Sequence, residues 1–190
     1  MTVDRARVEA AVVEILHAIG EDTGRDGLRS TPSRVADAYV EFFAGVGQDP
    51  LEQLRDSVPL GEHEPETVLV RDIAFRSVCE HHLLPFVGVA HIAYLPGDRI
   101  VGLGRLAHLV ETLAARPQLQ ERLTEQVADA LQEGLAARGV LVVIDAVHAC
   151  VTTRGPRQTA SSTLTMASRG ELAEPAQRAE LITLIGRDAG

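Results

Sequence analysis

Apolar residues recur at helical spacing over residues 3–19, where Val8, Val12, Ile15, Leu16 and Ile19 share one side and Gly20 follows. This period predicts an amphipathic helix that stops at the glycine. In the next stretch Thr31 is expected as N-cap, with Pro32 at the first helical position and Val35, Tyr39, Phe42 and Phe43 as a buried stripe ending near Gly45. The chain therefore reads as helical to about residue 60. From Glu66 the period shortens to two. "ETVLVRDIAFRSV" and "FVGVAHIAYLPGD" alternate apolar and polar positions, and the second closes in a Pro-Gly turn. They read as antiparallel strands flanking the intervening Cys/His stretch.

Helical spacing returns in "GRLAHLVETLAA" and in "PQLQERLTEQVADALQEGLAARG", the second opening at Pro117 with Leu119, Leu123, Val127, Ala130 and Leu131 on one side. "VLVVIDAVHACVTT" and "QTASSTLTMAS" then form a second strand pair joined by "RGPR", and "EPAQRAELITLIG" a last helix. The order α-α-β-β-α-α-β-β-α predicts an α+β fold, an antiparallel sheet with helices on one face. Residues 1–60 are read as an N-terminal helical region and 61–190 as the main domain.

Composition narrows the function classes. The formal charge of −9 disfavours a nucleic-acid surface, because phosphate backbones need clustered cations. No charged-then-apolar leader and no long apolar run is present, so a cytoplasmic protein without a membrane partner is expected. The chain has no lysine, so arginine supplies its cationic side chains, and the planar fork suits a phosphorylated small molecule.

The chain has only two cysteines, Cys79 and Cys150. Cys79 and His82 are separated by two residues, a spacing that lets one tight turn aim both at a point. "HAC" is read as strand, which sends His148 and Cys150 to the same face. If the two strand pairs are neighbours, Cys79, His82 and Cys150 make a three-ligand zinc set with one open position, the pattern of a catalytic site. Iron is the alternative occupant. His81 and His148 are then left beside the metal as acid/base groups. The competing reading is a pair of inert buried cysteines. His17, His63 and His91 lack partners at ligand spacing and are expected to be ordinary polar residues.

The stretches "STPSRVADAY", "CEHHLLPFVGVAHIAYLPGD", "GLGRLAHLV", "RPQLQERLTEQVADAL", "VVIDAVHACVTTRG" and "AELITLI" together resemble the GTP cyclohydrolase I family over nearly the whole chain. The resemblance implies a tunnelling fold, assembled as a decamer of two pentamers with active sites at subunit interfaces. It implies zinc on Cys79, His82 and Cys150, acid/base roles for His81 and His148, and guanine recognition by Gln120 and Glu121. Arg34, Arg105, Arg154 and Arg157 are the expected triphosphate contacts. The implied reaction converts GTP to 7,8-dihydroneopterin triphosphate and formate.

Several positions depart from that family's pattern. Gly104 stands where a serine is usual, Arg105 where a lysine is usual, and His108 where arginine is common. Asp37 replaces a cation, Val89 a lysine, and Pro156 interrupts "RGPR". A carboxylate close to a triphosphate repels it. Two alternatives follow: a paralogue that takes a less phosphorylated guanine compound or stops at the ring-opened formamidopyrimidine, and a noncatalytic guanine-nucleotide-binding homologue.

Overall fold

The structure, a computed structural model, describes residues 3–61 and 64–186. Helices α1 (Arg5–Ala18) and α2 (Thr31–Phe42) pack on each other. A 3-10 turn (Pro50–Leu54) and the two-residue strand β1 (Val58–Pro59) lead into the long strands β2 (Val68–Cys79) and β3 (Pro85–Leu95). The short strand β4 (Arg99–Ile100) pairs with β1. Helix α3 (Leu103–Ala114), the short strand β5 (Pro117–Gln118) and helix α4 (Gln120–Leu135) precede β6 (Gly139–His148). A single helical turn, α5 (Ala149–Thr152), separates β6 from β7 (Thr163–Gly170), and α6 (Pro175–Ile185) follows.

The main sheet has the order β5-β2-β3-β6-β7, antiparallel except where β5 joins β2 in parallel. Alternation along its strands divides the side chains between two faces. Ile92, Tyr94, Val140, Val142 and Ile144 lie with Leu106, Leu109, Leu113, Leu123 and Leu131 of α3 and α4 in the main core. Each such fully buried aliphatic side chain contributes about 1.5–3 kcal/mol. The intervening residues Ala93, Leu141 and Val143 meet Leu172 and Leu181, so the C-terminal segment caps part of the opposite face. Helices were expected on one face only; α6 departs from this because Leu181 has its apolar partners on the other side.

Several local expectations also need correction. In α1 only Val12 and Leu16 are buried, while Ile15 and Ile19 are exposed. In α2 the fully buried positions are Pro32 and Ala36, whereas Val35, Tyr39, Phe42 and Phe43 are half-buried. Tyr39 and Phe43 pack edge to face at 5.2 Å instead of entering the core. Thr31 is the first helical residue and not the cap, which is Ser30 without a side-chain bond. The helical stretch ends before residue 60, because Val58 and Pro59 pair with β4. Pro117 does not open α4; it pairs with Val78, and the helix starts at Gln120. His63 lies outside the described residues.

Gly88 brings β3 and β6 together so closely that an added Cβ meets the Asp145 carbonyl oxygen at 2.1 Å and the Ala146 Cα at 2.7 Å. Both are backbone atoms of the paired strand, which cannot yield without opening the ladder. Elsewhere on β3, His91 is only 8% exposed. Its Nδ1 accepts from the Asp72 backbone N–H at 3.2 Å. Burial pulls its pKa below the ordinary histidine value; the Asp72 and Asp145 carboxylates oppose that pull and Arg71 reinforces it.

Gly88→Ala is expected to destabilise the fold by roughly 1–3 kcal/mol, read as a lower chemical-denaturation midpoint. His91 binds its proton more weakly folded than unfolded. Its contribution is therefore complete above the ordinary value of about 6.5 and is lost as pH falls from there through the lower folded value. Denaturation midpoints measured down the acid side should fall less steeply in His91→Gln than in the parent; an unchanged slope sinks this assignment.

Candidate functional site

The turn between β2 and β3 is closed by two backbone bonds, Cys79 N–H to the Leu84 carbonyl and Leu83 N–H to the Cys79 carbonyl, each 2.9 Å. Leu83 takes a left-handed φ of 51°, a conformation that persists only where its surroundings enforce it. Cys79 is buried, while His81 and His82 are exposed on the turn. Glu80 is tied down twice: its backbone N–H donates to the Gln118 carbonyl at 3.0 Å and its carboxylate accepts from Arg122. Gln118, 2% exposed, accepts from Arg122 Nε at 3.1 Å and donates to the Leu113 carbonyl at 3.0 Å. Arg122 and Gln118 thus anchor the turn to the start of α4. Neither belongs to the site expected from the sequence; the polar pair at four-residue spacing beside a helix start is the signal that points to them.

"HAC" is not the continuous strand that its spacing predicts. β6 ends at His148, and Cys150 lies in the α5 turn. Cys150 still lies near the Cys79 turn, because β3 pairs with both β2 and β6 and sets Phe86 opposite His148 at the end of the sheet where that turn lies. Cys150 packs against the core cluster that contains Cys79; burial and the neighbouring Cys79 thiol push the Cys150 pKa up, and Arg154 pulls it down. Two thiolates so placed repel each other, and a thiophilic cation reverses that repulsion. His82 Nε2 lies 3.2 Å from Arg154 Nη1. A guanidinium only donates, so this nitrogen presents a lone pair. Among the described residues no three His, Cys, Asp or Glu side chains converge on one point. The donor chemistry nevertheless fits a soft metal: two neighbouring thiols, and an unprotonated imidazole nitrogen on the turn that carries one of them.

His148 stacks on Phe86 with centroids 4.6 Å apart and planes 4° from parallel. Its Nε2 is 2.7 Å from Gln120 Oε1. Burial lowers its pKa, and Glu121 works against that. Gln120 is buried, with its amide also bonded to β6 and β7, whereas Glu121 is exposed in the first turn of α4. Phe86 carries no signal in the sequence, because only the β3–β6 register puts it against His148.

The arginines are variously engaged. Arg105 pairs with Asp56, Arg154 contacts His82, and Arg34, Arg154 and Arg157 are exposed, Arg157 with a left-handed φ of 51° beside Gly155 and Pro156. Asp37 is held by Arg5 of α1, whose Nε donates to it at 2.6 Å while Nη2 donates to Ser33 at 2.7 Å. That pairing lowers the Asp37 pKa and offsets its charge. The carboxylate joins two helices of its own chain, so the repulsion expected of it is met by a neighbouring cation. Gly104 is exposed, and Val89 is half-buried on β3. His108 lines a separate cavity of about 390 Å³, together with Phe42, Phe75, Arg76 and Glu111. The structure sets the Cys79–His82 turn with Arg154, Cys150 after β6, and His148 with Gln120 and the adjacent Glu121 at the Phe86 end of the sheet. It leaves Arg34 and Asp37 on α2 and Arg105 and His108 on α3.

A family model described as GTP cyclohydrolase I matches residues 8–186. A protein of Leifsonia xyli subsp. xyli named GTP cyclohydrolase 1 is 66% identical over 183 residues, spanning 96% of this chain and 96% of that protein. One of the same name from Rhodopirellula baltica is 54% identical over 188 residues, spanning 98% of this chain and 81% of its own. Among solved structures, an archaeosine synthase QueF-like protein in the apo form matches 57% of this chain and 96% of its own, with a TM-score of 0.45 and 14% identity.

Proposed function

The chain belongs to the GTP cyclohydrolase I family, with that family's α+β tunnelling fold, and we propose that it converts GTP and water to 7,8-dihydroneopterin triphosphate and formate. Hydrolysis opens the guanine imidazole ring, and a second hydrolysis releases its C8 as formate. The sugar then rearranges and closes the pterin ring with return of one water. High identity over nearly the full length supports the whole reaction over a truncated or noncatalytic one.

Cys79, His82 and Cys150 would hold zinc, and the observation that most supports this reading is the strand register that sets the Cys79 turn and the β6–α5 junction bearing Cys150 at the same end of the sheet. When bound in such a set, zinc supplies Lewis acidity that lowers the pKa of a water to about 7. His148 and His81 exchange protons with the ring nitrogens and the sugar, a role for which imidazole suits neutral pH. Glu121, exposed at the start of α4, accepts hydrogen bonds from the guanine N1–H and 2-amino group, with Gln120 behind it. Arg34, Arg105, Arg154 and Arg157 supply the cationic surround for the triphosphate.

Assembly into a ring of subunits, as two pentamers forming a decamer, is supported by the sheet edge. β7 is an outer strand with Leu164 57% and Met166 49% exposed. An open apolar edge of this kind calls for pairing with another chain. Such pairing would bring sites to subunit boundaries, where α2 and α3 arginines of one chain face the Cys/His end of another. Among the described residues no helix is long and apolar enough to cross a membrane, and we read the protein as cytoplasmic.

Zinc-loaded protein given GTP should yield formate and 7,8-dihydroneopterin triphosphate in equal amounts by mass spectrometry. Accumulation of a formamidopyrimidine in place of the pterin would overturn the full reaction. Cys79→Ser and Cys150→Ser should each lose zinc on dialysis and release formate at least about a hundredfold more slowly; retention of metal and rate by either variant sinks the ligand assignment.

A further inference from the structure

Gln120 is 1% exposed, and its one carboxamide joins α4 to both C-terminal strands and to His148. Nε2 lies 3.0 Å from the Ile144 carbonyl oxygen, 2.8 Å from the Thr163 carbonyl oxygen and 3.1 Å from Thr165 Oγ1. Carbonyl oxygens only accept, so the terminus facing them is the NH2 group. The hydroxyls agree with that sense. Thr124 Oγ1 donates to the Gln120 backbone carbonyl at 2.8 Å. Its oxygen is then left to accept from Thr165 at 2.6 Å, and the Thr165 oxygen to accept from Gln120 Nε2. A closed circuit with one direction fixes the amide without any assumption about the histidine.

The remaining atom, Gln120 Oε1, stands 2.7 Å from His148 Nε2. An amide oxygen cannot donate, so His148 Nε2 carries the hydrogen. The Phe86 stack holds the plane of the imidazole in which that bond is made. We infer that Gln120 is the positioning residue for His148: it locks the tautomer with hydrogen on Nε2 and leaves Nδ1 as the ring's one free acceptor. The carboxamide is thereby committed to His148 and the strands, and direct hydrogen bonding to the guanine falls to Glu121. The functional weight of this inference rests on the reading of His148 as an acid/base group.

The test uses zinc-loaded protein labelled with 15N-histidine, observed by solid-state NMR at a pH where the imidazole is neutral, with His148 assigned by difference from His148→Asn. The parent should show hydrogen on Nε2 and a bare Nδ1. Gln120→Met should show a mixture of tautomers, with kcat down about 10- to 100-fold and KM for GTP kept within about threefold. Thr165→Val keeps Gln120 but removes one of its anchors, and should move the same signals less far; it serves if the methionine variant does not fold. Hydrogen on Nδ1 in the parent overturns the inference, as does a glutamine variant whose KM rises while kcat and the His148 signals stay unchanged. Full activity in His148→Asn would sink the acid/base reading and leave the tautomer assignment standing.

Discussion

The antiparallel register between β3 and β6 is the constraint on which the site depends. It sets Phe86 opposite His148 and carries the Cys79 turn, at the start of β3, to the point where β6 gives way to the turn bearing Cys150. Side chains alternate with period two, so a slip of one residue would send Phe86 and His148 to opposite faces. Gly88, two residues into this ladder from Phe86, is where an added Cβ would strike the backbone of the paired strand. The register is further held by the apolar residues that α3 and α4 cover.

Around that ladder the polar groups act as ties between elements. Gln118 and Arg122 bind the Cys79 turn to α4 through Glu80, and Gln120 binds α4 to β6 and β7. One short stretch of chain therefore positions both halves of the site. Buried amides of this kind are costly unless fully bonded, and both glutamines are bonded at each end. The surface ion pairs differ in kind: Arg5 with Asp37 joins α1 to α2 and explains how a carboxylate is accommodated where the family pattern has a cation.

Much of this was legible in the chain. The two long β-hairpin strands, the C-terminal strand pair and the amphipathic helices followed from period alone, because burial on one face imposes that period. The misreadings fell at junctions. Pro117 entered a strand pairing before α4, and Cys150 left the strand for a helical turn. In both places the backbone follows a neighbouring element, which local propensity does not encode. The half-buried Tyr39 and Phe43 are a different case, since a helical stripe shows which side faces inward but not how deeply.

The sequence by itself determined the α+β element order, the family, and the identity of the cysteines and histidines, all of which are carried by local spacing and residue chemistry. Only the tertiary structure decided that Cys150 sits in a helical turn at the Cys79 end of the sheet, that Asp37 is neutralised by Arg5, and that Gln120 faces His148. Those relations join residues far apart in the chain. They exist only once strand register and helix packing have brought the partners together.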